Sequence, residues 1–221
     1  MAIYVGDKRY APYIGDKRRR YMGGAKGLPY DAEVEYLEST GTEFINSTVM
    51  PSSTLTTEVE FSVVEGFSFG TSSFIFGSYY SHAPMTTYSV ALSSATKIRI
   101  PDGTGFSNSS SVPNMGTSKH LLSYRFGDAT LDGVNCSTLS GSIGETTPPI
   151  RLFGRLRDSG TGSTITGKLR IYSFKLIDNS VTLLDLIPVR KGTVGYMYDK
   201  VSKQLFGNGG TGSFTLGPDK N

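Results

Sequence analysis

Two stretches of this chain alternate polar and apolar residues in a way that only an extended strand buries well: Thr57-Glu58-Val59-Glu60-Phe61-Ser62-Val63 and Lys168-Leu169-Arg170-Ile171-Tyr172-Ser173-Phe174-Lys175-Leu176. Successive side chains of a strand point to opposite faces, so each stretch has one wet and one dry side. Strand-like runs also occupy 33–38, 42–48, 73–80, 87–93, 96–100, 119–126, 129–135, 150–154, 181–189 and 194–206, and the two quoted stretches extend to 55–64 and 166–178. No window reads as an amphipathic helix of three turns. The 27 Gly, 13 Tyr and 12 Phe, with a charged fraction of only 19%, suit short twisted strands joined by tight turns. Asp132-Gly133 reads as a two-residue hairpin turn, and Asp178-Asn179 in the same way. About a dozen strands at hairpin spacing predict an all-β fold of two packed antiparallel sheets.

Strict alternation over 168–176 groups Leu169, Ile171 and Ser173 against Tyr172, Phe174 and Leu176. The expected core face is Tyr172, Phe174 and Leu176, unless a bulge near Ser173 shifts the register. Loops 101–118 and 155–165, rich in Gly, Ser and Thr, are the expected mobile tips.

The first thirty residues follow another rule. Tyr4-Val5-Gly6-Asp7-Lys8-Arg9-Tyr10-Ala11-Pro12 is answered directly by Tyr13-Ile14-Gly15-Asp16-Lys17-Arg18-Arg19-Arg20-Tyr21. Within residues 1–26, Lys8, Arg9, Lys17, Arg18, Arg19, Arg20 and Lys26 face only Asp7 and Asp16, so the overall charge of +3 resides here and the remainder is slightly negative. A turn beginning with Gly is a hairpin signal, so each repeat can form a small strand-turn-strand, and Gly23-Gly24-Ala25-Lys26-Gly27-Leu28-Pro29 reads as a linker. Residues 1–30 are thus an extended or hairpin arm and 31–221 one domain. An isolated hairpin is marginal in water, which points to an arm that gains order by docking. Tyr4, Val5, Lys8, Arg9, Tyr13, Ile14, Lys17 and Arg18 are its candidate docking residues, with an acidic protein surface preferred over nucleic acid as partner.

Cys136 is the only cysteine, so no internal disulfide and no cysteine cluster for zinc can form, and it reads as a small buried hydrophobe. There is no apolar run of about 18 residues and no signal-peptide pattern, so neither membrane insertion nor signal-directed secretion is expected.

The ends of the domain carry recognisable text. Glu35-Tyr36-Leu37-Glu38-Ser39-Thr40-Gly41-Thr42-Glu43-Phe44-Ile45-Asn46 opens it. Gly167 to Asp178, Leu184-Asp185-Leu186-Ile187-Pro188-Val189-Arg190, Val194 to Val201 and Gly207-Asn208-Gly209-Gly210-Thr211-Gly212-Ser213-Phe214 lie in its last third. Together these resemble the concanavalin A-like lectin/glucanase (laminin-G-like) jelly-roll domains of bacteriophage and prophage structural proteins. The arm resembles short tandem Tyr-Val-Gly-Asp-Lys segments near the starts of phage virion proteins. The resemblance implies a two-sheet antiparallel jelly-roll sandwich and a non-enzymatic virion component, made in the host cytoplasm and present in many copies. It would decorate the capsid or sit on the tail, with other virion proteins as partners.

Two alternatives follow from the same resemblance. The first is a host-attachment module binding a surface glycan, for which Tyr79, Tyr80, His82, Asp102, Asn108 and Asn114 are the candidates, because sugars offer hydroxyls to Asp and Asn and a weakly apolar face to rings. The second is a glycoside hydrolase, in which Glu33, Glu35 and Glu38 would mimic the Glu-x-Asp-x-x-Glu pattern of hydrolytic relatives. That pattern departs from theirs in its middle acid, and the chain has no Trp. No catalytic residue and no cofactor are therefore expected. Calcium at a loop rim ranks behind no metal at all, since no Asp-x-Asp-x-Asp run is present.

Overall fold

The structure, a computed structural model, describes residues 27–80, 86–101, 112–126, 128–136, 148–158 and 168–220, and the backbone alone of 3–5, 8–10, 106–108 and 164–165. The arm contributes β1 (Ile3–Val5) and β2 (Lys8–Tyr10). The chain continues through β3 (Ala32–Glu33), β4 (Leu37–Ser39), β5 (Ile45–Asn46), β6 (Leu55–Val63), β7 (Phe74–Tyr80), β8 (Thr86–Ser94), β9 (Lys97–Pro101) and β10 (Phe106–Asn108). Next come β11 (His120–Arg125), β12 (Asp128–Leu131), β13 (Val134–Asn135), β14 (Arg151–Leu152), β15 (Gly154–Arg157) and β16 (Thr164–Ile165). The last third holds β17 (Leu169–Asp178), β18 (Val181–Lys191), β19 (Val194–Asp199), β20 (Leu205–Phe206) and β21 (Thr215–Leu216). No helix occurs among the described residues.

Beyond the arm the strands form two sheets. The larger runs β13-β12-β11-β6-β17-β18-β19-β20, with β3 on β18, β4 on β17 and β21 on β4. The smaller runs β10-β9-β8-β7-β14-β5, with β15 on β7 and β16 on β15. Pairing is antiparallel apart from β15 beside β7, which is parallel. Phe153 (φ 60°) and Gly154 reverse the chain after β14 and bring β15 back along β7.

Rings from both sheets meet in the interior between them. Phe76 of the smaller sheet lies edge-on to Phe174 of the larger at 5.8 Å, and Tyr88 of the smaller lies edge-on to Tyr124 of the larger at 4.9 Å. The Tyr88 hydroxyl is completely buried, where an unpaired polar group would cost 1–3 kcal/mol. It exchanges a hydrogen bond with Thr57 Oγ1 at 2.8 Å and reaches the Leu55 carbonyl at 3.2 Å, tying β8 to β6 across the core. Burial raises the Tyr88 pKa well above its usual value.

The strand around Ser173 contains the bulge. Ile171 lies opposite Phe61 and Ser173 opposite Glu60, so Tyr172 is an extra residue with no partner position on β6. That extra residue lets Leu169, Ile171, Phe174 and Leu176 all enter the core, which regular alternation forbids. Phe174 and Leu176 are where the pattern placed them; Tyr172 is not. It turns to the opposite side, where its hydroxyl meets Ser62 Oγ at 3.1 Å, its ring stands edge-on to Tyr36 at 5.5 Å, and Lys119 Nζ sits 4.6 Å above it.

Other boundaries also move. Asp132 (φ 52°) and Gly133 (φ 78°) make the expected two-residue turn, whereas the next such turn is Asn179-Ser180 (φ 46° and 67°). Asp178 stays in the ladder opposite Val181, its carboxylate accepting from Thr54 Oγ1, and leaves the left-handed conformation to Asn179, which tolerates it better. Runs 33–38 and 42–48 shrink to β3, β4 and β5. Run 194–206 is interrupted after Asp199, whose buried carboxylate accepts the Asp185, Val201 and Ser202 amides. The expected tips hold β10, β15 and β16. Within 112–115, Val112 and Met115 are buried and their amides bond to Thr96 and Ala95.

Candidate functional site

The strands of the smaller sheet carry Lys97, Arg99, Arg151, Arg155 and Arg157 but, among the described residues, no Asp or Glu. Those of the larger sheet are mixed and mostly acidic, with Glu33, Glu38, Glu58, Glu60, Asp128, Asp178, Asp185 and Asp199 against Arg125, Arg170, Lys175, Arg190 and Lys191. Alternation on β9 buries Ile98 and Ile100, so Lys97 and Arg99 belong to the outer face.

Arg155 lies down across that outer face. Its guanidinium carbon sits 4.3 Å from the centre of the Phe74 ring and 4.6 Å from that of Tyr79. Gly77 makes this possible: a Cβ there would lie 3.0 Å from Arg155 Cγ and would also collide with Ser89. Arg157, level with Tyr79 on the parallel strand, has its guanidinium carbon 5.4 Å from the same ring. Such stacking contributes about 0.5–2 kcal/mol and fixes where the guanidinium planes lie. Burial holds the Arg155 pKa below its ordinary value, and the positive charges of Arg99 and Arg157 push it the same way. Among the described residues, Arg157 Nε is buried without a hydrogen-bond partner. Hydroxyls of Thr87 and Ser89, 3.0 Å apart, lie on the adjoining strand.

The sequence-derived glycan residues are only partly gathered here. Tyr79 and Tyr80 end β7, half-buried and opposite Thr87 and Thr86. The backbone of Asn108 on edge strand β10 falls in one row with Arg99, Ala91 and Phe74. Asn114 is exposed beside Ala95, at the far end of β8 from Tyr79, roughly 26 Å away at the usual rise per residue. His82 and Asp102 lie outside the described residues, as do Tyr13, Ile14, Lys17 and Arg18 of the arm. For Tyr4, Val5, Lys8 and Arg9 only the backbone is described: β1 and β2 form a hairpin pairing Tyr4 with Arg9 and Val5 with Lys8. Sequence reading missed Arg155 and Arg157 because it took 155–165 as a loop. The available signal was Gly154-Arg155-Leu156-Arg157, a basic face on a short alternating strand.

Three other polar constellations are built into the larger sheet. The triple Glu33, Glu35, Glu38 does not run along one strand: Glu33 in β3 accepts from the Tyr30 hydroxyl at 3.3 Å, while Glu38 in β4 pairs with Arg170 Nε at 2.7 Å. With the acids so divided, purified protein is expected to release no reducing sugar from β-glucans or bacterial polysaccharides. Turnover that Glu38→Gln abolishes would refute this. Ser118, His120 and Asp132 stand in the order of a nucleophile-base-orienter set, with Nδ1 2.7 Å from Asp132 Oδ2 and Nε2 3.5 Å from Ser118 Oγ. The imidazole is buried against Phe61, and Asp132 also accepts the Leu121 amide at 2.8 Å, so the group clamps the turn at Asp132. Cys136 is buried, its Sγ donating to the Ala129 carbonyl, and burial pushes its pKa up to about 11. A thiol so poorly ionised is a weak nucleophile.

Third, Glu43 is buried and gathers the Thr40 amide at 2.8 Å, the Thr40 and Thr42 hydroxyls at 3.1 and 3.0 Å, and the Ser39 hydroxyl at 3.2 Å. Burial alone would raise its pKa, yet hydrogen bonds from Thr40 and Thr42 outweigh it and hold the carboxyl below its ordinary value. Gly212, at φ 86°, closes over this knot where any Cβ would meet Thr42 Oγ1 at 2.7 Å.

Among the described residues no group of three or more His, Cys, Asp and Glu is placed to hold a metal ion, and no helix is long and apolar enough to cross a membrane. Compared with protein-family models and with curated proteins, the sequence matches none.

Proposed function

We infer that this chain is an accessory component of a bacteriophage virion, fixed to the particle by its arm and displaying a concanavalin A-like jelly roll outward. The observation that carries the reading is the separateness of the arm. Among the described residues β1 and β2 pair only with each other, and residues 1–26 hold the chain's excess positive charge. A two-stranded hairpin has free edges and little core, so it gains stability by adding to a partner sheet while its basic residues meet acids. The resemblance of residues 31–217 to phage jelly rolls supports the rest of the reading.

The test is deletion of residues 1–26. Thermal unfolding of the sandwich should stay nearly unchanged while incorporation into particles, read by quantitative blotting of purified virions, is lost. Normal occupancy of the truncated chain would make the sandwich itself the docking surface. A second reading, attachment to a host-surface glycan, is favoured by the basic, hydroxyl-bearing face around Tyr79.

A further inference from the structure

We propose that the outer face of the smaller sheet is a binding site for a carboxylate-bearing glycan, in which Arg99, Arg155 and Arg157 receive the sugar carboxylates. It deepens the second reading above and is independent of what the arm attaches to. Three arguments carry it. Like charges held together raise the free energy of the unliganded face, and an anion placed among them removes that cost. Among the described residues of β9 and β15 and the position after β15, Asp158 sets one carboxylate beside three guanidiniums. Among the described residues Arg157 Nε is a buried donor without an acceptor, the kind of orphan a ligand oxygen satisfies. The rings of Tyr79 and Phe74 hold Arg155 in place before any ligand arrives, which reduces the ordering cost of binding.

The chemistry favours an acidic sugar over a polyphosphate. A guanidinium takes carboxylate and phosphate alike with two parallel hydrogen bonds, so the neighbouring hydroxyl and the modest, local positive charge decide for a sugar. Thr87, half-buried on the adjoining strand, offers a hydroxyl that suits a sugar. Nucleic acid, in contrast, is gathered by extended positive fields, and the domain outside the arm is slightly negative overall.

The experiment is calorimetric titration of the full chain, at physiological salt, with a hexamer of galacturonic acid and with its carboxyl-reduced galactose counterpart. The acidic hexamer should bind and the neutral one should not. Arg157→Gln and Arg99→Gln should each weaken binding at least tenfold with an unchanged unfolding midpoint, and Arg157→Lys should restore only part of it. Changing Lys17, Arg18, Arg19 and Arg20 together to Gln should leave the affinity as it was. The proposal is overturned if the acidic hexamer fails to bind, if the neutral one binds as well, or if the arm variant is the one that loses binding. It is equally overturned if a ten-residue oligothymidine binds as tightly through the same arginines, since the face would then read phosphate.

Discussion

Replacing Phe174 with alanine is expected to destabilise the sandwich by about 3–5 kcal/mol, the usual cost of emptying a phenylalanine site in a packed core. Phe174 is fully buried and lies edge-on to Phe76 of the facing sheet, so its removal leaves a cavity at the junction of the two layers. Neighbours cannot easily collapse into it, because β17 is held on both sides by β6 and β18. Urea unfolding of the purified protein reads the effect directly, and a loss under about 1 kcal/mol would place this ring at the surface. Tyr172→Phe is the matched contrast. It removes the hydroxyl contacts to Ser62 and Arg170 and should cost about 1 kcal/mol.

The second large effect is expected at Glu43. Glu43→Ala removes the acceptor for two main-chain amides and several hydroxyls in a buried loop and should cost about 3 kcal/mol. The same carboxylate makes stability depend on pH. Its folded pKa lies below the ordinary glutamate value of 4.5, so the folded state favours the ionised form. The contribution is complete above that ordinary value and is lost as pH falls through the depressed folded one. Acid titration of the unfolding free energy should therefore fall less steeply in Glu43→Gln than in the parent below pH 4.5. Parallel curves would show that Glu43 carries no such linkage.

What could be read in advance follows from which interactions are local. Alternation around Val59 and Phe61 marked a strand and its two faces, because the side-chain period of two is a property of the strand itself. The bulge at Tyr172 could be named only as a condition, since whether a strand takes an extra residue depends on the partner's register. Asp178 was read as a turn residue because its side-chain partner, Thr54, is distant in sequence. The arginine face was not legible for the same reason. Arg99 and Arg155 come from segments that meet only through the β9-β8-β7 order, and β15 approaches β7 through a reversal that no local pattern announces. Glu43 reads as an ordinary exposed acid until the Gly212 segment is laid over it.

On the described strands, the smaller sheet carries only bases and the larger mostly acids, a placement that sets a dipole of the strand framework through its thickness. Core-facing positions are almost wholly apolar, so apart from the buried Arg151 and Asp199 the ionised strand side chains of each sheet stand on opposite outer surfaces, with layers about 10 Å apart between them. Near a negatively charged surface this dipole exerts a torque that turns the smaller sheet toward it before any specific contact forms. At physiological salt the field decays over about 8 Å, so the torque acts only within the last fraction of a molecular diameter of approach. Rotation rather than diffusion then becomes the step that the charge arrangement accelerates.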